Sequence, residues 1–140
     1  MNKQFCATIL AIIAVIVSPS LSFGQAKIAS NEAAASVVEI RNVTEANNAI
    51  TGEVVNKSFY NLRNIELLLQ YHWLWTNEMH PGANSPGRSV YLSLDKEIQP
   101  GERATFTYRP DPPLPVRPDG RYASEVSLAG FSQVIPQPGS

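Results

Sequence analysis

Two histidines, His72 and His80, with Glu78 between them in sequence, are the residues that come nearest to a reactive or metal-binding set. Their spacing is not that of a zinc site, which uses closely spaced Cys and His pairs or two His one helical turn apart. Nucleophilic hydrolysis needs a serine or cysteine beside a base that a third group orients. Serines are plentiful, but none stands in a Gly-x-Ser-x-Gly setting, and no glycine-rich phosphate loop is present. Glu53, Glu66 and Glu125 fall in alternating segments, on the side opposite the apolar residues, which is the side that faces water. These residue types in these patterns point to no catalytic residues, no metal and no cofactor.

The remaining chemistry-bearing stretch is aromatic. "YHWLW" places Tyr71, Trp73 and Trp75 on one face of a strand and His72 and Leu74 on the other. Trp73 continues the apolar row Ile65, Leu67, Leu69 and Tyr71, so it is expected in the core. Trp75 comes at the end of that row, beside a Gly/Pro loop, where it divides between core edge and contact. Leu68 and Leu74 are apolar on the face that should be solvated. The candidate contact surface is therefore His72, Leu74, Trp75 and His80.

The elements that position these residues are strands. Short segments of alternating hydrophobicity are bounded by turn residues, the pattern of an all-β sandwich. They cover 37–43, 50–56, 62–76, 89–94, 103–109 and 122–130, with a further short strand at 131–135. The third is longer than a usual strand, so it should bend, bulge or project beyond the sheet. Gln99-Pro100-Gly101-Glu102 has the order of a tight turn, with Pro fixing one central φ and Gly supplying a positive one. "PDPPLPVRPDG" reads as a stiff connection between two strands. Asn42 and Asn56 stand in glycosylation sequons, which matter only in a eukaryotic-type host. Asn56 reads as a bend residue.

The start of the chain has a different character. Lys3 precedes an uncharged apolar run, Cys6 to Val17, followed by small residues. This is the form of a Sec-type signal peptide over 1–26, cleaved after Gly24 or Ala26. The apolar run falls well short of the roughly 20 residues that span a bilayer, so no stable membrane span is expected after cleavage. Cys6 opens that run, so the mature chain would carry no thiol, disulfide or thiolate ligand. A flexible lead-in over 27–35, one domain over 36–136 and a tail over 137–140 complete the expected organisation. The chain has 11 basic and 12 acidic side chains, interspersed. Nucleic-acid binding draws on a concentrated positive surface, so no nucleic-acid partner is expected.

"ITGEVVNKSFYNLRNIELLL" resembles the opening of FxLYD-type and related bacterial immunoglobulin-like envelope domains: a strand with a central Gly, Asn56 and Ser58 at the bend, Leu62, and an alternating strand from Ile65. "IQPGERATFTY" is similar to their Pro-Gly turn before a strand with an inward Phe. The chain has "YHWLWTNEMHPG" after its third strand and no Phe-x-Leu-Tyr-Asp motif. The resemblance implies an extracytoplasmic β-sandwich without catalytic residues.

The expectation is a single antiparallel immunoglobulin-like β-sandwich of six or seven strands, preceded by a helical signal peptide. Its location would be periplasmic or secreted. Its function would be that of a non-enzymatic protein-interaction or accessory module of the envelope, with an envelope protein as partner. The alternative is a carbohydrate-binding module that uses aromatics near Trp75.

Overall fold

A computed structural model describes residues 27–29, 32–136 and 138. The expected signal peptide, 1–26, lies outside the described residues, as does the tail apart from Pro138. Seven strands are formed: β1 (Lys27–Ala29), β2 (Val38–Ala46), β3 (Ala49–Asn56), β4 (Asn61–Trp75), β5 (Arg88–Leu94), β6 (Arg103–Tyr108) and β7 (Gly120–Val134). A four-residue helix, α1 (Glu32–Ala35), precedes β2. Both β1 and α1 fall within the stretch read as a lead-in.

The strands form two sheets, ordered β1-β7-β4-β5 and β2-β3-β6. All pairings are antiparallel except β1 on β7. Both sheets contribute to one core: Ile40, Ile50, Val54, Ala104 and Phe106 from one, Ile65, Leu67, Leu69 and Val126 from the other. The two-residue period explains the membership, because alternate side chains of each strand point the same way. Gly52 sits opposite Phe106 in the β3–β6 ladder. A Cβ there would lie 2.6 Å from the Phe106 ring, so the glycine is what lets the ring lie against the strand.

Three bulges reset the alternation. In β2 the register shifts between Arg41 and Thr44, at Asn42 with φ 53°, and the buried positions step from Val38 and Ile40 to Val43. In β4 it shifts between Arg63 and Glu66, beside Asn64 with φ 51°. Of the bend, bulge or projection expected of so long a strand, β4 has the bulge, and its far end also extends beyond β5. The anticipated separate strand at 131–135 is instead the end of one continuous β7. β7 carries its own bulge at Ala129, where one step in β4 (Glu66 to Leu67) meets two in β7 (Gly130 to Leu128), so the inward set changes from Leu128 to Phe131 while the strand continues.

The chain crosses between sheets after β3 and again before β6, and one side chain holds both crossings. Asn56 is completely buried. Its amide Nδ2 donates to the carbonyls of Tyr60 (2.7 Å) and Ile98 (2.8 Å). Its Oδ1 accepts from the Ser58 N–H and hydroxyl at 2.9 and 2.7 Å. Its own backbone joins the next turn, with its N–H donating to Glu102 O and its C=O accepting from Gly101 N. Gly101 has the positive φ, 78°, expected of the Pro-Gly turn. Ile98, buried, exchanges two 2.9 Å backbone bonds with Leu62.

Removing this amide strands several buried polar groups, each costing about 1–3 kcal/mol. Asn56→Ala is expected to lower stability in urea denaturation by about 2–4 kcal/mol. Asn56→Asp should be at least as harmful at pH 7, since a carboxylate cannot donate to two carbonyls. A near-neutral effect of both substitutions would show that the crossings hold without the knot.

Candidate contact surface

Beyond Tyr71, β4 loses β5 as a neighbour, because their register ends at Tyr71 opposite Arg88. It continues as a two-stranded ribbon with β7, pairing His72 with Ala123, Trp73 with Tyr122, Leu74 with Arg121 and Trp75 with Gly120. On the inner face of the ribbon the aromatic rings meet edge to face. Trp73 and Tyr122 have centroids 4.8 Å apart, Trp73 and Trp75 6.0 Å, and Tyr71 and Tyr122 6.5 Å. Tyr71 reaches across to Tyr108 of the other sheet at 6.4 Å. A Cβ at Gly120 would lie 2.4 Å from Leu74 O and 2.5 Å from the Trp73 ring, so this glycine permits the close approach.

Arg117, from the loop before β7, caps the aromatic face. Its guanidinium lies 5.4 Å from both tryptophan ring centroids, a cation–π arrangement. Its Nε donates to Asp119 Oδ1 at 2.9 Å, its Nη2 to Asp119 Oδ2, and its Nη1 to Asn84 O at 2.8 Å. Thr76 N–H donates to Asp119 O, and Gly82 packs beneath the Trp75 ring. The 76–87 loop and the proline loop are thereby fastened together. Val116 and Met79 project from them, 98% and 85% exposed.

An open cleft of about 290 Å³ lies beside this cap, lined by Glu45, Asn48, Trp73, Leu114, Arg117 and Tyr122. Below it, Tyr71 OH, Trp73 Nε1 and Ser124 Oγ are buried without a hydrogen-bond partner among the described residues. Burial raises the Tyr71 hydroxyl well above its ordinary pKa, and the nearby Tyr108 adds to this. It therefore stays neutral.

The structure separates the four candidate contact residues. Trp73 is 8% exposed and Trp75 half-buried, both on the inner side. His72 and Leu74 lie on the outer face, His72 exposed with Nε2 3.7 Å from Glu125 Oε2 and Leu74 half-buried. His80 is exposed in the loop. The outer face also carries half-buried Leu68, which sits opposite Tyr91 in the β4–β5 ladder. Arg117 is the residue that pattern reasoning missed. In sequence it is one charge in a proline-rich loop, and its partners Trp73, Trp75 and Asn84 are remote.

The other perturbed carboxylates serve structure. A hydrogen bond from Asn42, with Arg103 and Arg41 nearby, holds Glu53 below its ordinary pKa. Arg63 and Asn61 do the same for Glu97. Among the described residues no three His, Cys, Asp or Glu side chains come together as a metal-ligand set.

No family model matches the chain, and no curated protein matches it. Among solved structures it is similar to the trimeric lipoprotein SadB of Salmonella enterica, at 10% identity and a TM-score of 0.41, over 69% of this chain and 53% of SadB. The chain thus spans about half the length of SadB, and a likeness at this level transfers neither fold family nor function.

Trp73 and Trp75 should separate in mutagenesis. Trp73→Ala is expected to cost about 3–5 kcal/mol. Trp75→Ala should cost about 1–2 kcal/mol, the scale of one ring pair and one cation–π contact. Equal, large losses in thermal or chemical denaturation would place both rings in the core.

Asp119 gives a pH signature. The hydrogen bond from Arg117 holds its carboxyl below its ordinary value. A depressed folded pKa means stability that is in place above the unfolded value, about 4, and lost as pH falls through the folded value. The melting temperature should decline as pH falls below about 4. Asp119→Asn should be less stable than the parent protein at neutral pH and lose that difference in acid. A constant difference across the range would rule out the ion pair as its source.

Proposed function

We propose that this chain is an exported, non-enzymatic immunoglobulin-like module of the bacterial cell envelope, periplasmic or secreted, that binds another protein. Export rests on the charged, apolar and small-residue segments of 1–26. The immunoglobulin-like reading is supported by strand order. Beginning from β2, the first, second and fifth strands form one sheet, while the third and sixth are neighbours in the other. This is how A, B, E and C, F are divided in immunoglobulin-type sandwiches. The tryptophan on the third of these strands is buried, as that fold favours.

The observation that carries the binding role is the outer face of β4. A sheet with one solvated side is polar there. Here Leu68 and Leu74 share the face with Gln70 and the exposed His72, and Tyr91 stands 63% exposed opposite Leu68. Val116 and Met79 are further exposed apolar side chains, on the loops that Arg117 fastens together. Arg117 also occupies a face of the Trp75 ring, the surface on which a sugar would stack, so the geometry favours a protein partner over a glycan.

A photo-reactive residue placed at position 72 in the native bacterium should give one discrete adduct to another protein, and Leu74→Glu should abolish it while the melting temperature changes little. No adduct at position 72 would count against the contact face. Binding on a glycan array that disappears in Trp75→Ala would transfer the assignment to carbohydrate recognition.

A further inference from the structure

The two sheets have different kinds of edge. The β2 edge is interrupted by its bulge and carries Glu39, Arg41 and Glu45. The β6 edge begins with Arg103 and is followed by Arg109 and Pro110. Charges, prolines and bulges are the devices that keep strand edges from pairing with other chains. The β5 edge has none of them after Arg88. Its remaining residues, Ser-Val-Tyr-Leu-Ser-Leu, are uncharged, without proline or glycine, and pair with β4 in unbroken register. Among the described residues its backbone groups make no backbone hydrogen bonds other than those to β4. Val90, Leu92 and Leu94 point inward yet stay half-buried, because nothing lies beyond them in the sheet.

We propose that a second copy of this chain adds to the β5 edge in antiparallel orientation, with Tyr91 on the two-fold axis. Residues 89–93 read Ser-Val-Tyr-Leu-Ser, the same pattern of polar, aliphatic and aromatic types in both directions. Antiparallel pairing about Tyr91 puts Tyr91 against the partner's Tyr91, Ser89 against the partner's Ser93, and Val90 against the partner's Leu92. Every pair within 89–93 is matched in kind and covers the half-buried Val90 and Leu92, with Arg88 opposite the partner's Leu94 at the ends. Neighbouring registers are worse. A slip of one residue sends the inward set to the outer face. Centring on Leu92 opposes Arg88 and Lys96, two like charges. Centring on Val90 draws Pro86 into the ladder, where it cannot donate. A protein that is not a copy of this chain has no reason to match this symmetry.

The pairing uses the backbone of β5; the contact face proposed above shares Tyr91 with it, but that face is tested at His72 and Leu74 on β4, so Leu74→Glu leaves the β5 edge intact and the two ideas fail separately. A single strand pair buries less than the roughly 1,200 Å² of a standard interface, so the dimer should form with a dissociation constant on the order of micromolar.

Two measurements on the full chain bearing Cys6→Ser test it. Sedimentation from about 1 µM to about 1 mM should show a monomer–dimer equilibrium. Tyr91→Lys, which opposes two like charges at the axis on an exposed position, should shift this to monomer with an unchanged melting temperature. In the second, Ser89→Cys and Ser93→Cys proteins are oxidised or treated with a short bis-maleimide, separately and mixed. The mixture should give at least about tenfold more cross-linked dimer than either alone, since only the 89–93 pair is directly opposed. A monomer throughout the concentration range would overturn the proposal, as would equal cross-linking of the separate and mixed proteins. A dimer that survives Tyr91→Lys unchanged would also overturn it.

Discussion

Two of the four passages of the chain from one sheet to the other depend on the buried amide of Asn56. It ends β3, shapes the bend into β4 through Ser58 and Tyr60, and holds the segment returning to β6 through Ile98. An amide is suited to this because it donates and accepts at once, and in a dry interior each unmade bond is costly. The apolar residues of the core are exchangeable by comparison. Ile50, Leu67 and Val126 need only volume and the right face, whereas the amide needs its partners at defined positions. The separation and alignment of the two sheets at this end follow from it.

At the opposite end a cation has the corresponding place. The β4–β7 ribbon extends beyond its neighbours, and its aromatic face would be open to water without a cover. Arg117 supplies the cover with a flat, weakly hydrated head that lies 5.4 Å from both tryptophan ring centroids while bonding Asp119 and a loop carbonyl. Lysine would offer neither the plane nor the fork. The loops that hold Met79 and Val116 are therefore extensions of the core.

Alternation made much of this legible in the sequence. The row from Ile65 to Trp73 is buried residue for residue, Gly101 has its positive φ, and the long third strand carries a bulge. Parity works because a strand has one inside face and a fixed period. It fails where an extra residue enters, as at Asn42 in β2 and at Ala129 in β7, where the inward set changes between Leu128 and Phe131 although the strand continues. Asn56 was readable as a bend residue, but the carbonyls it satisfies come from Tyr60 and from Ile98, far along the chain. Arg117 left no local trace at all, since a charge in a proline loop has no period. On the candidate surface, parity had already divided Trp75 from His72 and Leu74. What it could not give was that Trp75 turns toward an arginine.

The strand that completes the central pair is the last one in the chain. All of β4 is laid against β7 over fifteen residues of each, and β1 in turn leans on β7. Until residues 120–134 are available, β4 has only β5 beside it, a lone hairpin of the kind that is marginally stable in water. Contacts so distant in sequence also make closure slow. A chain delivered with its N-terminus first therefore leaves β4 without its main partner until residues 120–134 have arrived, and can thread through a narrow passage before this sheet has formed to resist it.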